Sequence, residues 1–394
     1  MMKILIVTNQ FPSKKYPYKG SFIFTQAENL QKKIASIVVL APNYGREEKS
    51  TIYKDIKLFR FRTFTKPTSD PLLRNLFKGI TGLLALLFFI LFQTLSIIKI
   101  SRKEKIDLIH AHWILPSGFS TYLASIITRK KFVITTNGSD LTYCGTDKIL
   151  KRFVCFILSR TPILICVSDK LRIIANQICR KNIASKTIFI GIPNYHSLRE
   201  ISKKQIGQIS NKKIINFIFV GSLYPIKGIE FLLESISILS KKRTNFILDI
   251  VGGGERLLEY KAYVESNHLE PFVNFHGFKS HSEVLNMISK SDIAIQPSLS
   301  EGLSIFIQEA VFFGKAIIAT NVGGTNEIVI NDFNGLLLDP ENAIQLAEKM
   351  DYLLLNRDKV RVFSENSLKI ADEKLSLEKN MDNIISIYKK LLRF

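Results

Sequence analysis

The sequence predicts an α/β protein built from two Rossmann-like, doubly wound parallel-sheet domains. Short β-rich apolar runs alternate with helical stretches along the whole chain, as expected of βαβ units whose strands are buried on both faces. At 394 residues the chain is longer than one hydrophobic core usually grows. Charge divides near the middle as well: residues 1–200 hold 32 Lys and Arg against 11 Asp and Glu, whereas residues 201–394 hold 23 of each.

In the first half strands are expected at 3–8, 37–41, 56–62, 106–110, 132–136, 163–167 and 188–190. In the second half they are expected at 216–220, 246–251, 274–276, 293–296, 316–319 and 335–338. These give a first domain over 1–195 and a second over 214–374. The polar stretch from Pro193 to Lys213 reads as the linker. Residues 375–394 form an amphipathic helix, with Ile384, Ile385, Ile387, Tyr388 and Leu391 available for burial, expected to pack back across the domain junction.

The twenty uncharged residues Gly79–Ile98 meet the length rule for a membrane-spanning helix. Spanning would divide the first sheet, and cations stand at both ends: Arg74 and Lys78 before, Lys99, Arg102, Lys103 and Lys105 after. A buried core helix and a helix partly exposed to lipid are the other readings.

The basic excess of the first half points to a polyanionic partner. No nucleic-acid recognition motif accompanies it and the apolar helix suits lipid, so an anionic membrane surface is expected and nucleic acid is not. Cys144, Cys155, Cys166 and Cys179 form no C-x-x-C pair, and reduced core thiols are the expectation. The N-terminus runs directly into Lys3-Ile4-Leu5-Ile6-Val7, so no signal peptide is expected. The expected location is cytoplasmic, peripheral on the inner face of the cell membrane.

The strongest local signal lies between Gln296 and Glu327. Pro297 ends a strand and a helix begins near Ser304, so the loop containing Gly302 aims free N–H groups and a helix dipole at whatever sits above the strand ends. Phosphate is the usual occupant. Glu301 in that loop and Glu309 within the helix could grip two ends of one extended ligand, since carboxylates accept hydrogen bonds from sugar diols. Glycine-bearing turns follow two further strands, at Val220-Gly221-Ser222 through Lys227-Gly228 and at Val251-Gly252-Gly253-Gly254. Glycine permits close backbone approach, and Lys227 is a candidate cation for a diphosphate leaving group. In the first half, His110 reads equally as a core or a functional histidine. His112 stands nearer the strand's C-terminal end, Asp140 is either a cap or a site residue, and Gly20 either a turn or a site glycine.

Taken together, these motifs resemble retaining GT-B glycosyltransferases, specifically glycosyltransferase family 4, over essentially the whole chain. The resemblance is carried by the spacing of Glu301 and Glu309, by Val322-Gly323-Gly324-Thr325-Asn326-Glu327, by Phe11-Pro12 and Gly20-Ser21-Phe22, by Asp107 through Trp113, and by Thr135 through Asp140. It implies two domains facing a central cleft and a nucleotide-sugar donor, UDP- or GDP-linked. The donor would be held by Gly221, Ser222, Lys227, Gly253, Glu301, Gly302, Leu303, Ser304 and Glu309. Glu301 would contact the transferred sugar, the backbone of Gly302 to Ser304 the phosphate, and Glu309 the ribose. Glu301, Lys227, Asn137 and His112 are the catalytic candidates; Gly20, His112 and Asp140 are the acceptor candidates. The implied reaction retains the anomeric configuration, on a lipid-linked or cell-surface glycan acceptor, and needs no cofactor and no metal. Ser222 stands where the family often has Arg, and Asn137 where it often has His. These departures keep open a nucleotide-sugar-binding protein without turnover.

Overall fold

The computed structural model describes residues 2–393 apart from 15, 17–18, 35, 45–46, 64–79, 143–147 and 194. The chain forms two compact units: Met1–Ile190 with Glu378–Phe394, and Gly191–Leu377.

The first unit is built on eight strands: β1 (Lys3–Val7), β2 (Ser36–Asn43), β3 (Ser50–Tyr53), β4 (Ile56–Arg62), β5 (Leu108–His112), β6 (Lys131–Thr136), β7 (Leu164–Cys166) and β8 (Ser185–Thr187). Their order is β3-β4-β2-β1-β5-β6-β7-β8. Among the described residues only β3 runs antiparallel to its neighbour. The second unit has six parallel strands: β9 (Ile215–Val220), β10 (Phe246–Val251), β11 (Val273–Gly277), β12 (Ile293–Gln296), β13 (Ala316–Thr320) and β14 (Gly335–Leu338), in the order β11-β10-β9-β12-β13-β14. Ile4 through Val7 and Ile293 through Ile295 are fully buried, as parallel strands covered on both faces require. Strand order reverses between β1 and β5 in the first sheet and between β9 and β12 in the second. The crevice beyond the carboxyl ends of the strands at such a reversal is where open α/β sheets bind ligands.

The helix Ile80–Lys103 is the crossover from β4 to β5, so it leaves the sheet undivided. Phe89, Gln93, Ile97, Ile100 and Ser101 are buried on one face. Gln93 Nε2 donates there to Ser117 Oγ at 2.9 Å. On the other face Leu83, Leu84, Leu87, Phe88, Leu91 and Leu95 are each 44–54% exposed. By length and composition the helix could cross a membrane. In the fold it is half-exposed, which replaces both the spanning and the fully buried readings; Gly79, Arg74 and Lys78 lie outside the described residues.

Other expectations change. Residues 193–213 are no linker: they belong to the second unit and include the helix His196–Ile206. Ser202 Oγ donates to the Phe313 carbonyl, and Arg199 pairs with Asp372 at 2.6 Å. The helix Leu377–Leu392 belongs, from Glu378 onward, to the first unit, where Lys33 pairs with Asp382 at 2.5 Å. Strand β5 begins at Leu108 rather than 106 because Asp107 is used as a clamp. Its N–H donates to the Lys3 carbonyl and its carboxylate accepts from Lys3 N, both at 2.8 Å. Strand β8 covers 185–187 rather than 188–190. Cys155, Cys166 and Cys179 are free thiols, and Cys144 lies outside the described residues.

Candidate active site

The loops after β9 and β12, the two strands flanking the reversal in the second sheet, bring the expected charged groups together. Lys227 Nζ donates to Glu301 Oε1. Gln296 Nε2 and Ser298 Oγ donate to the same oxygen at 2.7 and 3.0 Å. Three donors on Oε1 fix the carboxylate, and Oε2 makes no hydrogen bond among the described residues, leaving it open to a hydroxyl. The helix Ile305–Phe312 starts directly after this turn, with Ser304 Oγ capping the Ile307 N–H at 3.3 Å. The backbone N–H groups of Gly302, Leu303 and Ser304 donate to no acceptor among the described residues. An ammonium, three open amides and a helix N-terminus in one turn suit an oxyanion.

Glu309 sits on the buried side of that helix, its side chain 6% exposed, and accepts from His281 Nε2 at 2.7 Å. The carboxylate raises the His281 pKa, against a smaller opposing effect of burial. No local motif marked His281. It opens the helix His281–Lys290 behind the Ser280–Glu283 capping box and meets Glu309 only through the fold.

The glycines serve backbone packing. A Cβ on Gly323, where φ is +57°, would lie 1.9 Å from the Glu301 carbonyl oxygen, and Gly324 N–H donates to the Gly302 carbonyl at 2.7 Å. The Val322–Thr325 turn therefore braces the Glu301 turn from beneath. Gly221 N–H is committed to the Val251 carbonyl at 3.0 Å, and the Gly253 carbonyl accepts from Leu223 N–H at 3.0 Å. A Cβ on Gly253 would meet the Phe278 ring at 2.6 Å. The Gly221 amide is therefore committed within the sheet, and a side chain at Gly253 would have to displace the exposed Phe278 ring. Ser222 is exposed beside them.

In the first unit the reversal between β1 and β5 holds a second cluster. His112, at the end of β5, is buried, and neither ring nitrogen has a hydrogen-bond partner among the described residues. Burial lowers its pKa to about 4, opposed by the Asn137 side chain. It stacks on His110 at 4.7 Å and meets Phe22 edge-on at 6.4 Å. His110 is a core histidine: Nδ1 meets Tyr388 Oη at 2.5 Å and Nε2 meets Thr135 Oγ1 at 2.6 Å. Asn137 is half-buried, with Nδ2 donating to the Thr135 carbonyl at 3.5 Å and Oδ1 unpaired among the described residues. Gly20 is required by its φ of +69° and by Gln10, whose carbonyl oxygen would lie 2.5 Å from a Cβ there; it opens the helix that carries Phe22. Asp140, an expected acceptor contact, acts within the fold as a turn clamp. Its buried oxygens accept from Ile114 N–H at 2.9 Å, Thr136 Oγ1 at 2.7 Å and Gly138 N–H at 3.1 Å. Burial nonetheless raises its pKa.

Two family models match, glycosyl transferases group 1 over residues 199–370 and glycosyl transferase 4-like over residues 18–168. The chain belongs to the group 1 glycosyltransferases. It is 29% identical over 393 residues to an uncharacterised glycosyltransferase of Methanocaldococcus jannaschii, covering 99% of both chains. With a putative teichuronic acid biosynthesis glycosyltransferase of Bacillus subtilis it shares 27% identity, covering 88% of each. Among solved structures, HepE of Anabaena superposes with a TM-score of 0.73 at 18% identity, over 99% of this chain and 100% of that one. The two parallel-sheet units are thus the two Rossmann-like domains of a GT-B glycosyltransferase, and the protein is a transferase of class EC 2.4.

Proposed function

We propose that this group 1 glycosyltransferase moves a sugar from a nucleotide-diphosphate donor to a lipid-linked or cell-surface glycan acceptor, with retention of configuration. The observation that carries the reading is the turn 301–304, where Lys227, the open amides and the Ser304-capped helix meet at the reversal of the second sheet. HepE of Anabaena, of the same fold, was solved with UDP and glucose. In this chain the diphosphate would lie against the amides of Gly302 to Ser304. Glu301 Oε2 would take a hydroxyl of the sugar, and Glu309 the ribose. Lys227 would then divide its donors between Glu301 and the departing diphosphate, neutralising the charge that develops as the glycosidic bond breaks. Neither a metal nor a cofactor has a part in this scheme.

The acceptor belongs to the first unit in this reading, beside His112 and Asn137, whose unpaired polar atoms offer a hydroxyl its partners. The basic first half and the exposed face of the helix Ile80–Lys103 support a peripheral position on the anionic inner face of the cell membrane. The test is radiolabel transfer from UDP- and GDP-sugars to extracted lipid acceptors, run beside calorimetry. Transfer that falls about 100-fold in Lys227→Ala, the scale for losing one electrostatic stabiliser, together with weaker donor binding in Glu309→Ala, supports the reading. Tight nucleotide binding without transfer or donor hydrolysis would instead identify a binding protein of this fold.

A further inference from the structure

The first unit holds a basic cavity apart from the His112 cluster. It has a volume of about 700 Å³ and lies between the hairpin β3–β4 and the last two turns of the helix Ile80–Lys103. Ser96, Lys99, Ile100 and Lys103, at i, i+3, i+4 and i+7, form one wall; Lys49 and the aromatic rings of Phe59 and Phe61 contribute to the others. No carboxylate is among the described residues that line it. Arg60, also in the wall, is already neutralised by Glu47 at 2.6 Å and held by the Pro12 and Pro42 carbonyls, so it supports the fold. Lys49, Lys99 and Lys103 make no ion pair among the described residues; Lys103 instead lies 6.0 Å from the Phe59 ring centroid. Three ammonium groups around one half-apolar cavity repel one another, and an anion relieves that repulsion.

The helix that supplies Lys99 and Lys103 also carries the exposed apolar face. Leu95 precedes Lys99 by four residues, about 6 Å along the axis at the usual helical rise. Apolar surface and cation cluster are therefore contiguous on one element, Leu84, Phe88, Leu91 and Leu95 leading into the cavity. A soluble anion would use only the cations, and a neutral apolar ligand only the leucines; an anionic amphiphile uses both.

We propose that this cavity takes the phosphate of an anionic membrane lipid headgroup, whose acyl chains lie along the apolar face of the helix. The proposal rests on the membrane-surface part of the reading above and adds to it a site and a ligand class. The test is flotation of the full chain on phosphatidylcholine vesicles with and without phosphatidylglycerol. It compares wild type with the triple variant Lys49→Gln/Lys99→Gln/Lys103→Gln and with a charge-matched control, Lys130→Gln/Lys148→Gln/Lys181→Gln, distant in sequence from the cavity. At about fivefold per lysine, the cavity variant loses roughly 100-fold in partitioning onto anionic vesicles, with a shallower salt dependence. The control loses far less. Unchanged calorimetric titration with UDP or GDP and unchanged Trp113 fluorescence show that both variants are folded. Equal losses in the two variants would mean that attraction is spread over the whole basic surface, which overturns the cavity and leaves membrane association standing. Wild type that floats with neither vesicle overturns both. Displacement by inorganic phosphate at concentrations matched to the lipid would make the occupant a soluble anion and overturn the lipid assignment.

Discussion

His112 offers a quantitative test of how the first unit is built. A histidine titrates near 6.5 in an unfolded chain, whereas burial holds this one at about 4. Between those values the unfolded chain binds a proton that the folded chain refuses, so folding stability falls as pH drops from 6.5 toward 4. At pH 4 the loss comes to about 3 kcal/mol from this one group. His112→Asn removes the titration while keeping a polar side chain in the crevice. The gap in unfolding free energy between variant and wild type should therefore move by about 3 kcal/mol in the variant's favour between pH 7.5 and pH 4. Urea unfolding followed by fluorescence reads this directly, because Trp113 is the sole tryptophan and its ring lies 6.4 Å from His112. Parallel pH profiles for the two proteins would refute the burial argument, since they would mean that His112 exchanges protons as an exposed imidazole does.

Three further outcomes follow from named contacts. Gly323→Ala places a methyl against the Glu301 carbonyl at a positive φ, and should cost about 1–3 kcal/mol of stability together with at least tenfold in nucleotide affinity by calorimetry. An unchanged affinity would show that the brace does not shape the turn. Tyr388→Phe strips the partner from His110 Nδ1 and should destabilise the first unit by about 1–3 kcal/mol in the same Trp113 assay. For the His281–Glu309 pair, the raised histidine pKa means that its stabilisation is complete below about pH 6.5 and fades as pH rises through the folded value. The melting-temperature gap between wild type and His281→Asn should accordingly be widest in acid and close in alkali; a gap that widens with pH contradicts the pairing.

Much of the fold is legible in the sequence because buried parallel strands write continuous apolar runs. Those at 246–251, 293–296 and 335–338 coincide with β10, β12 and β14 residue for residue. The pattern fails where burial and strand pairing part company. Ile106 is fully buried yet stands before β5, because Asp107 clamps Lys3 rather than extending the ladder. Strand β3 escapes notice since it is an edge strand with half its residues exposed. Its turn, Lys54-Asp55 at φ 45° and 68°, also lacks the glycine that usually announces a hairpin. The helix His196–Ile206 buries little beyond Ser202 and Ile206, so its polar composition reads as linker.

At the candidate site, Glu301, Glu309 and Lys227 are legible because motif and turn chemistry are local. What local spacing hides is who partners whom across the fold: His281 on Glu309 and Tyr388 on His110. Each pair joins residues that only the sheet order or the returning C-terminal helix brings within reach. Asp140 shows the converse. Its place after β6 suits a ligand contact, but three internal donors already occupy its oxygens.

A structure of the protein with UDP or GDP bound tests the central claim most directly. The phosphate oxygens should lie within hydrogen-bond reach, about 2.7–3.2 Å, of the Gly302, Leu303 and Ser304 amides, with Lys227 Nζ turned toward them from Glu301. A diphosphate bound elsewhere in the second unit, with those three amides still facing no anion, would contradict it.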